Sequence, residues 1–263
     1  MSMRRRAPLP RSILSGENEG AFDHLPETVI ANLRRTNSEN ARLWNTFYPR
    51  PGFELRLADL LSVTPLWGSL AEDPLNDRMQ PYFWGFHPNG QRLEGLADAL
   101  QEIDGTGPRT EIDLILRGDA NVVVIEAKNL STLGRCGRFQ RRVCPEVQVT
   151  AERWLERCRY WDEDGTRFDA FLDFGPRPGP GAPPPPCARH YQMARTLLVG
   201  EALARRHAAR LHVWVILPKG RWPAIQRAWL DFADRIHDPE QWRRLRVVAW
   251  DDLVPHSWAS TPE

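Results

Sequence analysis

Cysteine is scarce in this sequence. Four residues in 263 cannot build a disulfide scaffold, so a reducing cytoplasm is the expected compartment. No run of about 18 apolar residues occurs, which excludes a hydrophobic membrane helix. The basic opening MSMRRRAPLPRSIL lacks an apolar h-region and a small-residue cleavage site, and residues 1–24 read as a disordered basic arm. Charge of one sign is lacking too. Lys and Arg total 35 against 34 Asp and Glu, a net charge of +1. A globally basic nucleic-acid binder is thereby excluded, and any phosphate contact has to come from local clusters.

What is present suits a globular protein. Hydrophobic residues make up 41% and charged residues 26% of the chain, enough to bury a core. Helical spacing appears over residues 26–43 and 55–61, which predicts a helical extension spanning residues 25–88. RLEGLADALQEI, residues 92–103, puts Leu93, Leu96, Ala97, Leu100 and Ile103 on one helix face. TEIDLILRGDANVVVIEAK then reads as two strands around a Gly118-Asp119 turn. A helix is expected over 145–161, and GPRPGPGAPPPPC (175–187) reads as an extended surface loop. Helix 190–208, strand 210–218, helix 222–236 and a strand from 244 follow, which implies parallel strands covered by helices. The predicted class is α/β, a mixed central β-sheet flanked by helices.

The hairpin carries the chemistry. With Gly118 and Asp119 as the loop, Asp113 pairs with Val124 and Glu111 with Glu126. Alternation then places Glu111, Asp113, Ile115, Val122, Val124, Glu126 and Lys128 on one face. The other face holds Ile112, Leu114, Leu116, Val123, Ile125 and Ala127 and is wholly apolar. Asp113 and Glu126 become diagonal neighbours, roughly 7–8 Å apart at Cα. Two carboxylates converging from there can share a Mg²⁺, whose oxygen ligands sit at about 2.0–2.1 Å. Such an ion lowers the pKa of its water and polarises a phosphoryl oxygen. Lys128 can position or deprotonate that water, or neutralise developing charge. The bland alternative is a solvated charged face. Two acids and a lysine converging among apolar runs argue against it, because buried charges need a partner or a metal.

Asp113, twelve intervening residues and then Glu126-Ala127-Lys128 resemble the motif of the PD-(D/E)XK nuclease superfamily, and so does the order of elements over about residues 92–253. Ile112 stands where that motif has its proline. Similarity is greatest to bacterial proteins described as restriction-endonuclease-like. The resemblance implies a restriction-endonuclease-like core over 89–263, and Asp113 and Glu126 as ligands of Mg²⁺, with Mn²⁺ as a substitute. It implies Lys128 as the catalytic lysine and an acidic residue on the preceding helix, for which Glu94 is chosen over Asp98. The implied activity is phosphodiester hydrolysis in DNA rather than RNA, in restriction, defence or repair, by a chain that can act as a homodimer. The alternative is a catalytically silent nucleic-acid-binding or scaffold protein on the same fold.

Fainter signals surround this motif. Arg135, Arg138, Arg141 and Arg142, with Phe139, form a basic loop suited to backbone contacts, with a solvated loop as the competing reading. Gln148, or else Gln192, is a polar residue that could face the site. Glu111 reads as a strand-end charge. Cys136, Cys144 and Cys187, with His190, could hold a structural zinc or, as in some nucleases of that superfamily, an iron–sulfur cluster. Their spacing matches no common metal pattern. Cys158 reads as core, His190 and His212 as structural, and the tryptophans as packing residues.

Overall fold

The computed structural model describes residues 20–35, 38–49, 54–68, 76–149, 156–161 and 167–253. Most of the expected basic arm, residues 1–19, lies outside the described residues, and Gly20–Asp23 forms a short 3₁₀ turn.

Six strands form one open mixed sheet in the order β1-β6-β5-β4-β3-β2. They are β1 (Trp67–Gly68), β2 (Gln80–Phe83), β3 (Leu114–Arg117), β4 (Asn121–Ala127), β5 (Arg210–Leu217) and β6 (Leu245–Ala249). β4, β5 and β6 are parallel, and the remaining pairs are antiparallel. Every residue of β4 is buried, as a run such as NVVVIEA requires when both sheet faces are covered. One face carries α4 (Leu96–Asp104), α5 (Tyr191–Arg206) and α6 (Trp222–Ala233), packed on Val122, Val124, Val213, Val215 and Val247. The opposite face carries α1 (Glu27–Leu33), α2 (Glu39–Phe47) and α3 (Leu57–Ser62), packed on Leu114, Leu116, Val123, Ile125 and Trp214. The chain is therefore an α/β fold of three layers.

The stretch 25–88 is more than a helical extension. It supplies both edge strands and the second helical layer. Pro81 lies in β2, an edge strand, where a missing N–H costs no ladder bond. The single helix expected over 26–43 is two. Ser38 ends the break by accepting the Ala41 N–H at 2.9 Å and starting α2. The helix expected over 145–161 falls partly on residues 150–155, outside the described residues; its described flanks are turns and the 3₁₀ turn Arg159–Trp161.

The β3–β4 register differs from the expected one by two residues. Leu114 pairs with Ile125 and Arg117 with Val122, and the Gly118 N–H bonds to the Asn121 carbonyl at 2.9 Å. Asp119 and Ala120, not Gly118 and Asp119, sit at the tip. Asp77 sets this turn. Its carboxylate accepts from the Asp119 N–H at 2.7 Å, the Ala120 N–H at 3.0 Å and Asn121 Nδ2 at 2.9 Å. A two-residue shift preserves side-chain parity, so within β3 and β4 the faces stand as expected and Asp113 comes opposite Glu126. Ile112, expected on the Leu114 face, instead joins the opposite core with Ile115, because the bend at Asp113 ends the alternation.

A second tight turn joins β2 to the segment before α4. Phe83 and Phe86 exchange backbone bonds at 2.8 and 2.9 Å, and the central residues Trp84 and Gly85 have φ of 49° and 86°. That backbone favours Asn-Gly; a tryptophan in the left-handed region costs roughly 1–2 kcal/mol.

Candidate functional site

The carboxyl end of β4 lies where its neighbours change from antiparallel β3 to parallel β5. Open α/β sheets place ligand sites outside the carboxyl ends of their parallel strands. Asp113 enters at the bend before β3, and the Ala127 N–H donates to its Oδ2 at 2.9 Å. Glu126, the penultimate residue of β4, is fully buried. Lys128, just past the strand, is 6% exposed. The Ile216 carbonyl accepts its N–H at 2.8 Å, and its carbonyl accepts from Trp250 Nε1 at 3.3 Å.

Four groups surround the Glu126 carboxylate. Thr196 Oγ donates to Oε1 at 2.9 Å, and Gln192 Nε2 donates to Oε2 at 2.6 Å. Gln192 and Thr196 are four apart on α5 and so share a face. Lys128 Nζ donates to Oε2 at 3.3 Å, and the Asp113 carboxylate lies near enough for the two acids to act on each other. Burial, and then the neighbouring Glu126 charge, push Asp113 well above the usual carboxylate range. Burial pushes Glu126 up as well, against the opposing pull of Lys128 and Thr196. Burial lowers the Lys128 pKa, but the Glu126, Asp113 and Glu39 charges outweigh it and leave the ammonium above its ordinary value. Two neighbouring carboxylates with one ammonium, bonded to Glu126, form a site with a deficit of positive charge.

Glu39 is the residue that the sequence reading missed. It opens α2 on the opposite layer, where a carboxylate suits the helix N-terminus. Its Oε2 accepts from the Asn129 N–H at 2.9 Å and Ser131 Oγ at 3.2 Å. That clamps the chain just after Lys128, and the Glu39 charge acts on both Asp113 and Lys128. A 74-residue gap separates it from Asp113; the capping pattern Ser38-Glu39 was the available signal.

The chosen helix acid, Glu94, is elsewhere. Its carbonyl pairs with His207 Nε2 at 3.0 Å, at the far end of α5, roughly 20 Å along that helix from Gln192. Asp98 is exposed on α4. Glu94 starts no inward-facing turn because α4 begins only at Leu96, behind a left-handed Gly95. Gln148 is also elsewhere, bonding the Cys144 N–H and the Phe139 carbonyl within its own loop. Gln192 takes the facing position instead. Its Oε1 accepts the Gly134 N–H at 2.7 Å, which draws the loop bearing Arg135 toward the site. Arg135, Arg138, Arg141 and Arg142 are all exposed, with Arg138 paired to Glu156 at 2.5 Å. Glu111 is exposed near the start of the hairpin.

Compared with protein-family models, with curated proteins and with solved structures, the chain matches none. No described helix is long and apolar enough to cross a membrane.

Metal capacity therefore rests on the residues themselves. Among the described residues, no three His, Cys, Asp or Glu side chains form a ready metal cage. Mg²⁺ commonly binds through one or two carboxylates and keeps its waters, and the Asp113/Glu126 pair fits that mode as a hard-oxygen set short of positive charge. The Lys128 bond to Glu126 is longer than those of Gln192 and Thr196, so it is the one an incoming cation would displace most cheaply. His190 does not join the cysteines, since its Nε2 pairs with Asp231 Oδ2 at 2.7 Å. All four cysteines are free, and burial pushes the Cys158 and Cys187 thiols up to about 12.

Proposed function

We propose that this chain is a metal-dependent nuclease of the PD-(D/E)XK type, hydrolysing phosphodiester bonds in DNA. The observation that carries the reading is the meeting of Asp113, Glu126 and Lys128 at the carboxyl end of β4, with Glu126 buried and its charge acting on Asp113. A structural ion pair needs one carboxylate for one ammonium. A second carboxylate, part-buried beside the first, costs stability and is most easily explained by function. The restriction-endonuclease-like core belongs to this proposal, with the helices on both faces of β3 and β4 as its support.

In this reading Asp113 and Glu126 hold Mg²⁺ or Mn²⁺, which supplies Lewis-acid activation of water and of the phosphoryl group. Thr196 and Gln192 fix the Glu126 carboxylate so that one orientation faces the substrate. Lys128 presents its ammonium to the phosphoryl oxygens, where charge develops. Glu39 holds the Asn129–Ser131 segment and adds negative charge that retains the ion. Arg135 and its exposed neighbours lie on a loop tied to Gln192 and would meet phosphates flanking the cut.

The test is incubation of the purified chain with plasmid, single-stranded DNA and RNA in Mg²⁺, Mn²⁺ or EDTA. Cleavage that needs the metal and is lost in Lys128→Ala supports the reading. Binding without cleavage on any substrate would replace it with a silent binding protein.

A further inference from the structure

A cavity of about 370 Å³ is lined by Ile112, the neighbour of Asp113 in sequence, and by Trp84, which bonds the Asp113 backbone; Asp113, Glu126 and Lys128 do not themselves line it. Its floor is apolar and includes Leu100, Ile112 and Ile115. Ile112, the residue before Asp113, and Ile115 both belong to the core on the α4 side of the sheet. Three rings stand around it. Trp84 and Phe86 come from the strained turn, and exposed His24 stacks on Phe86 with centroids 5.3 Å apart and planes 9° apart. The Trp84 N–H donates to the Asp113 carbonyl at 3.1 Å, which ties this wall to the backbone of the acid. Two exposed guanidiniums and one exposed carboxylate, Glu111, also line it, a net positive set. Arg92 lies 6.0 Å from the Phe86 ring centroid, and Arg109 donates to Gln101 Oε1 at 3.0 Å.

An apolar floor, aromatic walls and a net positive charged set match the parts of a nucleotide, a flat base attached to a phosphate. Base stacking on aromatic side chains is tolerant of sequence, and a base can enter such a cavity only after it leaves the duplex stack. The Trp84 backbone adds an independent mark. A tight turn that favours Asn-Gly holds a large aromatic at a strained position next to the reacting centre, and strain of this kind collects at functional sites.

We propose that this cavity receives an unpaired nucleobase of the strand being cut, so that the enzyme acts on single-stranded or frayed nucleic acid. The inference rests on the nuclease reading for the identity of the neighbouring site. The base stacks against the ring wall, Arg92 and Arg109 take the flanking phosphates, and the scissile phosphate lies at Asp113. The cavity thus sets the distance between the cut and the captured base.

The experiment uses single-stranded oligonucleotides, deoxy and ribo, each with one abasic position moved stepwise along the strand. Binding is measured by anisotropy in EDTA, and cleavage is measured in Mg²⁺. The proposal expects one abasic position, at fixed offset from the cut, to weaken binding roughly tenfold, as loss of a stacked base does. It expects that dependence to vanish in Phe86→Ala and in Arg92→Gln, the second being an exposed change that leaves packing intact. It also expects a blunt duplex of equal length to bind more weakly than the single strand. Cleavage with no abasic position effect overturns the cavity proposal and leaves the nuclease reading standing. A position effect on binding without cleavage keeps the cavity and removes the nuclease. Failure to bind any strand overturns both.

Discussion

Replacing Asp113 by asparagine should abolish cleavage and yet raise the melting temperature. Burial and Glu126 raise the folded-state pKa of Asp113. A raised acid holds its proton more tightly when folded than when unfolded, so stability falls as pH climbs from the unfolded value, about 4, through the folded one. Well above that window the full penalty is present. Asparagine removes the ionisation while its Oδ1 still accepts the Ala127 N–H, and its amide can donate to Glu126. Single stabilising substitutions commonly give about 0.5–2 kcal/mol. At about 1 kcal/mol the melting temperature of a chain this size rises roughly 2–4 °C. The assay is thermal unfolding at several pH values, with and without Mg²⁺. The gain should shrink as pH falls toward 4. Mg²⁺ should stabilise the wild type by mass action, about 2.7 kcal/mol at a hundredfold excess over Kd, and should leave the variant unchanged. A variant that melts below the wild type near neutral pH, or responds equally to Mg²⁺, would refute the account of the paired carboxylates.

Four further outcomes are expected. Glu39→Gln should reduce metal-dependent cleavage about 10–100-fold, the usual effect of losing a group that supports a metal site, seen in initial rates across a Mg²⁺ titration. Thr196→Val should lower cleavage over a similar range and lose about 1 kcal/mol of stability, because Glu126 keeps its burial and loses a donor. The acid limb of the cleavage rate against pH should lie above the ordinary carboxylate range, since both raised acids must ionise before they hold a cation; a limb at about 4 would contradict this. Cys158 and Cys187, raised to about 12, should react with a thiol reagent only once the chain is unfolded.

Much of this arrangement was legible in the sequence, and its gaps have physical causes. Period-two alternation from Asp113 to Lys128 identified the faces, because parity depends only on neighbouring residues. The alternating helices and strands after residue 190 were legible for the same reason, with each apolar pattern complete in itself. Glu39 was hidden because a carboxylate that opens a helix looks like ordinary capping wherever that helix docks. Gln192 outranks Gln148 only because α5 runs across β4, which no local pattern reports. The edge strands escaped notice because a two-residue β1 and a proline-bearing β2 carry almost no strand signal.

The clamp that Asp77 places on the hairpin tip has a consequence for how the chain folds. A slip of two residues between β3 and β4 leaves every apolar side chain facing the layer it would face natively, so collapse alone penalises it little. Such a misaligned hairpin would be compact, well buried and inactive, with Asp113 displaced from Glu126. Discrimination between the two alignments then falls largely on one carboxylate 42 residues from the turn it closes. Fidelity waits on a distant segment arriving, which makes this joint the natural place for a slow folding phase and for kinetically trapped material in Asp77→Ala.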